Sequence, residues 1–238
     1  MTRLGLTAAV LAAGALLCSS NANANEMTVT AQVLPNSVQT VAATAFPNGA
    51  PPTVLDYAAI GNPALAPFSS ISGTSTALVG APGSLTFDSD NISFQASAGS
   101  TLRVWITVSD LTAPAIGMIA VHSGLTSNDL PAGWTATLAT FVDPANDIAP
   151  PVGTLQAAHT FPGPCPSASC VPFDVNTIAL TGAGPYSVQE LYTIVASGTG
   201  FANLTIDVST TAVPEPATLA LLGTGLLAGA GFLRRRRS

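Results

Sequence analysis

Two thiols stand with four residues between them in Cys165-Pro-Ser-Ala-Ser-Cys170, and this pair has the most definite chemistry in the 238-residue chain. The third cysteine, Cys18, lies in an apolar leader. Once that leader is removed, two cysteines remain, an even number. In an oxidising compartment a ring of this size closes as a disulfide. A redox role is not supported, because the spacing is not Cys-x-x-Cys and no βαβ pattern surrounds it. Pro162, Pro164, Pro166 and Pro172 already stiffen the segment by fixing φ.

The other reactive residue types are thinly spread. His122 and His159 are the only histidines, and neither sits in a His-x-x-x-His pattern. An ordinary zinc site wants several His or Cys ligands, so both read as loop-edge imidazoles, exposed or hydrogen-bonded. No Gly-x-Ser-x-Gly elbow occurs. Glycoside hydrolysis needs two carboxylates across one bond. Scattered acids always supply some such pair, and no cleft-forming aromatic cluster accompanies them. Asp88-Ser-Asp90-Asn91 and Asp143-Pro-Ala-Asn146-Asp147 read as oxygen-rich loops. Calcium favours such oxygens, but Asp and Asn are equally the usual turn formers. The expectation is a protein without catalytic residues, metal ligands or cofactor.

Charge is scarce, at 8% of residues, and there is no lysine. Five of the six arginines lie at the two ends, which leaves Arg103 as the only strong cation between them. Eleven acids, from Glu26 to Asp207, leave this body near −10. Such a surface has no basic groups with which to release counterions from nucleic-acid phosphates, so nucleic acid is excluded as a partner. Mean hydropathy is +0.48, raised by the ends and by many alanines.

These residues must be positioned by strands. In residues 101–109, Leu102, Val104, Ile106 and Val108 share one face, while Arg103, Trp105 and Thr107 share the other. Residues 203–209 alternate likewise, with Leu204, Ile206 and Val208 inward and Thr205 and Asp207 outward. Residues 27–33, 92–96, 116–121, 134–141, 154–160, 175–180 and 190–196 are further strand candidates. Gly, Pro, Asn and Asp clusters punctuate them. Many short strands with frequent turns predict an all-β fold, an antiparallel β-sandwich of jelly-roll or immunoglobulin-like topology. Residues 48–83, rich in Pro, Ser and Ala, read as a long irregular excursion.

The two ends differ from the body. Arg3, the apolar run 4–17 and Ala22-Asn23-Ala24 form a secretory signal peptide over residues 1–24, with cleavage before Asn25. Leu17 stands before Cys18 where lipidation would need a small residue. The β body spans 25–212, and a tail spans 213–238. In the tail, Val213-Pro214-Glu215-Pro216 is held extended by its prolines. Residues 217–233 carry no charge. As a helix they reach about 26 Å, the short end of what spans a bilayer. Arg234, Arg235, Arg236 and Arg237 follow as a stop signal held on the cytoplasmic side, which leaves the body outside.

The string VPEPATLALLGTGLLAGAGFLRRRR resembles the PEP-CTERM sorting signal of Gram-negative bacteria, with Pro-Glu-Pro, apolar helix and basic end in order. The resemblance covers about a tenth of the chain. It implies recognition by an exosortase, a membrane cysteine protease-transpeptidase, and removal of the helix near Pro214-Glu215-Pro216. It also implies a membrane-tethered precursor, then delivery to the cell surface or an exopolysaccharide matrix. The functional expectation is a structural or adhesive protein of exopolysaccharide or biofilm. The alternatives are a carbohydrate-binding module, with Trp105 or Trp134 as stacking platforms, and a secreted hydrolase.

Overall fold

A computed structural model describes residues 24–47, 51–80, 84–112, 117–146, 153–165, 170–180 and 185–213. The leader before Ala24 and the tail beyond Val213 lie outside the described residues. Twelve strands follow one another: β1 (Ala24–Val33), β2 (Gln39–Pro47), β3 (Thr53–Ile60), β4 (Phe68–Gly80), β5 (Ser84–Ala96), β6 (Ser100–Leu111), β7 (Gly117–Asp129), β8 (Thr135–Asp143), β9 (Thr154–Pro162), β10 (Phe173–Leu180), β11 (Tyr186–Ala196) and β12 (Gly200–Val213). A single 3₁₀ turn, Pro63–Leu65, separates β3 from β4.

The strands form two six-stranded antiparallel sheets, ordered β2-β1-β6-β11-β8-β9 and β10-β7-β12-β5-β4-β3. Within them, β6-β11-β8-β9 and β5-β12-β7-β10 wind as a jelly roll, a hairpin of strand pairs folded across two layers. The remaining four strands extend each sheet at one edge. All nine strands expected from alternation are present. Their apolar faces meet between the sheets: Leu102, Val104, Ile106 and Val108 of β6 are fully buried, as are Leu204 and Ile206 of β12. Phe94 of β5 and Tyr192 of β11 pack across the layers with ring centroids 6.0 Å apart.

Residues 48–83 are not an irregular excursion. They hold β3 and β4, paired in register from Thr53↔Ala77 to Ile60↔Ser70. The signal was lost because the inward face of β4 is small or polar at its middle, at Gly73, Ser75 and Ala77, between the buried Ile71 and Val79. Its Ser75 is fully buried, and Ser75 Oγ lies 3.0 Å from Ser89 Oγ of β5. At Gly73 a Cβ would come within 2.4 Å of Ile92 Cδ1 and 2.9 Å of the Tyr57 hydroxyl. Alternation of large apolar side chains is therefore impossible there.

A polar seam runs through this core. Ser123 Oγ of β7 and Thr140 Oγ1 of β8 are 2.7 Å apart and join the two sheets. The Tyr192 hydroxyl donates to the Ser89 carbonyl, 3.3 Å away. Glu190 of β11 is fully buried beside Tyr57 and Tyr192. Burial raises both tyrosine hydroxyls well above their usual range, and the Glu190 carboxylate adds to the rise.

Candidate functional site

The two ends of the sandwich differ, and strand registers identify them. Ala24 of β1 pairs with Pro47 at the close of β2, and β3 starts shortly afterwards. Leu111, the last residue of β6, pairs with Tyr186, whose hydroxyl bonds the Thr210 side chain near the end of β12. Val213 pairs with Met118 at the start of β7. Ala24 and Val213 therefore lie at one end, the base. The opposite end, the tip, carries the turns from β7 to β8 and from β9 to β10.

Cys165 and Cys170 are joined as a disulfide at the tip, with Cα atoms 6.5 Å apart. Backbone bonds tie this loop to its neighbours. The Cys165 N–H donates to the Leu130 carbonyl (3.3 Å), the Ser127 N–H to the Cys170 carbonyl (3.1 Å) and the Gly163 N–H to the Trp134 carbonyl (2.8 Å). A hollow of about 370 Å³ opens beside the disulfide, lined by His159, Phe161, Val171 and Pro172 among others. His159 meets Phe161 edge-on at 4.7 Å.

Both histidines sit within strands, His122 in β7 and His159 in β9, rather than at loop edges. Sheet pairing could not be read from their separate positions. The Asp88–Asn91 segment is likewise not a loop. It lies inside β5, where the register with both neighbours shifts and Asn91 takes φ of 52°. This is a bulge, and the Asn91 N–H donates to Thr205 Oγ1 at 3.3 Å. The other oxygen-rich segment is a turn. Asp143 accepts from the Ala145 N–H at 3.0 Å, and Asn146 is engaged by Asp110. Asp147 lies outside the described residues. Among the described residues no three His, Cys, Asp or Glu side chains converge as a metal site.

Neither tryptophan is a stacking platform. Trp105 is 2% exposed and Trp134 1%. Trp134 belongs to the core, where Gly200 leaves room for its ring. Among the described residues the exposed phenylalanines are instead Phe173, at the start of edge strand β10 and 63% exposed, and Phe201 of β12, 46% exposed. Phe173 stands on the outer face of the second sheet, 6.1 Å from His122 between ring centroids. Asp88 of β5 and Asp207 of β12 are directly opposite each other on that face. Together with Thr86 and Ser209 these side chains line a depression of about 200 Å³. Gly124 keeps the space between Phe173 and Asp207 open: a Cβ there would lie 3.4 Å from Asp207 Oδ2 and 3.9 Å from Phe173 Cδ2. The outward position of Asp207 was legible from alternation. Its meeting with Asp88, His122 and Phe173 depends on the order of four strands.

Of the sorting residues, Val213 is the last residue of β12. Pro214, Glu215, Pro216 and Arg234 to Arg237 lie outside the described residues, as does the apolar run expected to span a membrane. Among the described residues no helix is long and apolar enough to cross a membrane.

Comparison with known proteins separates the tail from the body. No curated protein matches the chain. The tailspike protein 4 enzymatically active domain of bacteriophage CBA120 is similar at TM-score 0.27 and 12% identity, over 79% of this chain and 19% of that one. This chain thus spans about a fifth of the tailspike domain's length. A carbohydrate-binding module, TmCBM61 in complex with β-1,4-galactotriose, is similar at TM-score 0.29 and 9% identity, over 70% of this chain and 91% of that one. The K1 cleaved adhesin domain of Lys-gingipain from Porphyromonas gingivalis W83 is similar at TM-score 0.31 and 12% identity, over 70% and 95%. At these scores none bears on function. Residues 212–237, by contrast, match the PEP-CTERM protein-sorting motif, the mark of an exported protein. The chain thus carries a PEP-CTERM protein-sorting motif that begins on the last strand of a jelly-roll body.

Proposed function

We propose that this protein is an exosortase substrate, tethered as a precursor and then released or attached at the cell surface. There its body serves a structural or adhesive role in exopolysaccharide. The observation that carries this reading is the sorting motif at residues 212–237 on a body with one cation, Arg103, and a disulfide at its tip. The role is non-catalytic. A protein of this kind needs a rigid, cross-linked fold, and the interdigitated core supports that. Mass spectrometry of the mature protein from a host that makes the matching exosortase is the test. A chain ending near Pro216 is the expected result. An intact Ser238 terminus in that host would sink the reading.

A second reading, glycan binding, is favoured by the depression on the outer face. An exposed ring beside carboxylate acceptors suits a sugar, whose C–H face stacks while its hydroxyls donate. Because the body is near −10, a neutral or amino-bearing polymer suits it better than a uronate-rich one. Retention on such polymers should fall with Phe173→Ala and with Asp207→Asn, at unchanged thermal stability. Retention unaffected by both variants would remove the glycan reading, and polymer turnover would favour a hydrolase.

A further inference from the structure

We infer that the outer face of the second sheet is an extended platform for one linear, neutral or amino-bearing polysaccharide chain, held at its two ends by the rings of Phe173 and Phe201. This rests on the glycan reading above and adds to it: the depression beside Phe173 is one end of a longer track.

Strand β12 places the two ends. Its Phe201, Asn203, Thr205, Asp207 and Ser209 point outward, alternating with the buried Ala202, Leu204, Ile206 and Val208. Phe201 therefore shares a face with Asp207. Phe173, Gly124 and Asp207 form one row across β10, β7 and β12. Six residues along β12 and two strands across the sheet separate Phe201 from Phe173, a span of about 22 Å at ordinary strand spacings.

The ground between the rings is low and polar. Its outward positions are Gly124, Thr126 and Asn128 on β7 and Asn203 and Thr205 on β12, every one of them short. The amides are fixed in place. Asn128 Nδ2 donates to Asn203 Oδ1 and to Thr205 Oγ1, both at 2.9 Å, and Asn203 Nδ2 donates to Ser93 Oγ at 3.1 Å. Asn128 is the extra residue where the register between β7 and β12 shifts, which sets its amide between Asn203 and Thr205. Side chains held in this way lose little freedom when a ligand arrives.

The occupant follows from this layout. A protein partner buries a contiguous apolar core, and here two rings stand apart across amides and hydroxyls. A glycan chain presents C–H faces at intervals and hydroxyls throughout, which suits rings at the ends and hydrogen-bonding groups between them. Asp88 and Asp207 lie at the Phe173 end, and the one cation of the body, Arg103, is on the other sheet, so a polyanion is disfavoured.

Calorimetric titration of the exported protein with β-1,4-linked glucose and glucosamine oligomers of increasing length tests this. Affinity should climb with length and level off once an oligomer reaches about 22 Å. Phe201→Ala should weaken the long oligomers about tenfold, the worth of one ring stack, and leave the shortest unchanged. Phe201→Tyr should restore them. Thr126→Arg raises an obstacle midway and touches neither ring; it should also weaken only the long oligomers, at unchanged thermal stability. Long oligomers that bind no tighter than short ones, or that bind both the Phe201→Ala and the Thr126→Arg variants as well as wild type, overturn the platform and leave the single depression standing. If wild type binds no length of either series, the glycan reading fails and the platform with it.

Discussion

Asp110 and Asn146 hold each other through two hydrogen bonds at the base of the sandwich. Asn146 Nδ2 donates to Asp110 Oδ1 at 2.9 Å, and the Asp110 backbone N–H donates to Asn146 Oδ1 at 2.8 Å. Both residues take φ of 60°, a left-handed conformation that Asp and Asn tolerate better than most. The clasp joins the end of β6 to the turn after β8. Asn146→Ala removes both bonds and should cost about 1–2 kcal/mol in urea unfolding. Asp110→Gly, which keeps the backbone donor and relieves the φ, should cost less than Asp110→Ala.

The disulfide closes a ring of only six residues at the tip. Replacing Cys165 and Cys170 together by Ser should lower stability by about 2 kcal/mol in the chain-entropy account. The loop keeps its backbone bonds to Leu130, Ser127 and Trp134, so the fold should survive. Circular dichroism with and without reductant checks this. A fully unfolded double variant would show that the ring carries more than its entropy.

Gly73 tests the packing of β4. It needs no special φ, so any effect is steric. Gly73→Ala forces its methyl against Ile92 and the Tyr57 hydroxyl and should cost about 1–3 kcal/mol, as overpacking does elsewhere. Thermal unfolding measures the loss. Adding Ile92→Val to Gly73→Ala should recover part of it.

Alkaline pH should unfold the protein through its buried tyrosines. Burial raises the Tyr186 hydroxyl from 10.0 to about 12, partly offset by its bond to Thr210. In the unfolded chain the same group ionises near 10. The stability linked to it is whole below pH 10 and is lost as pH rises through about 12, amounting to about 3 kcal/mol at most. Tyr57 and Tyr192 act in the same direction. Tyr186→Phe should be less stable than wild type at pH 7, for want of the Thr210 bond. The difference should shrink or reverse above pH 11, which denaturant titrations at the two pH values would show.

Much of the body was legible where alternation was clean. In β6 and β12 one face is apolar and the other polar, so period and direction could be read from the residues alone. In β4 this failed, because Gly73 and Ser75 occupy inward positions where Ile92, Tyr57 and Ser89 already fill the space. The candidate face on the second sheet was legible only in fragments. Asp207 was outward by pattern, but Asp88 looked like a loop residue because the bulge at Asn91 breaks its strand's rhythm.

By itself the sequence determined the sorting tail, the all-β class and the disulfide partners. Each depends on residue type and short spacing, which the chain carries locally. Only the tertiary structure decided the rest. It chose the jelly roll over the immunoglobulin-like alternative and buried both tryptophans. It set Phe173 beside Asp88 and Asp207, and it carried β12 through Val213. These depend on which strands become neighbours and in what register. That choice is made by the packing of two whole sheets, and no local window contains it.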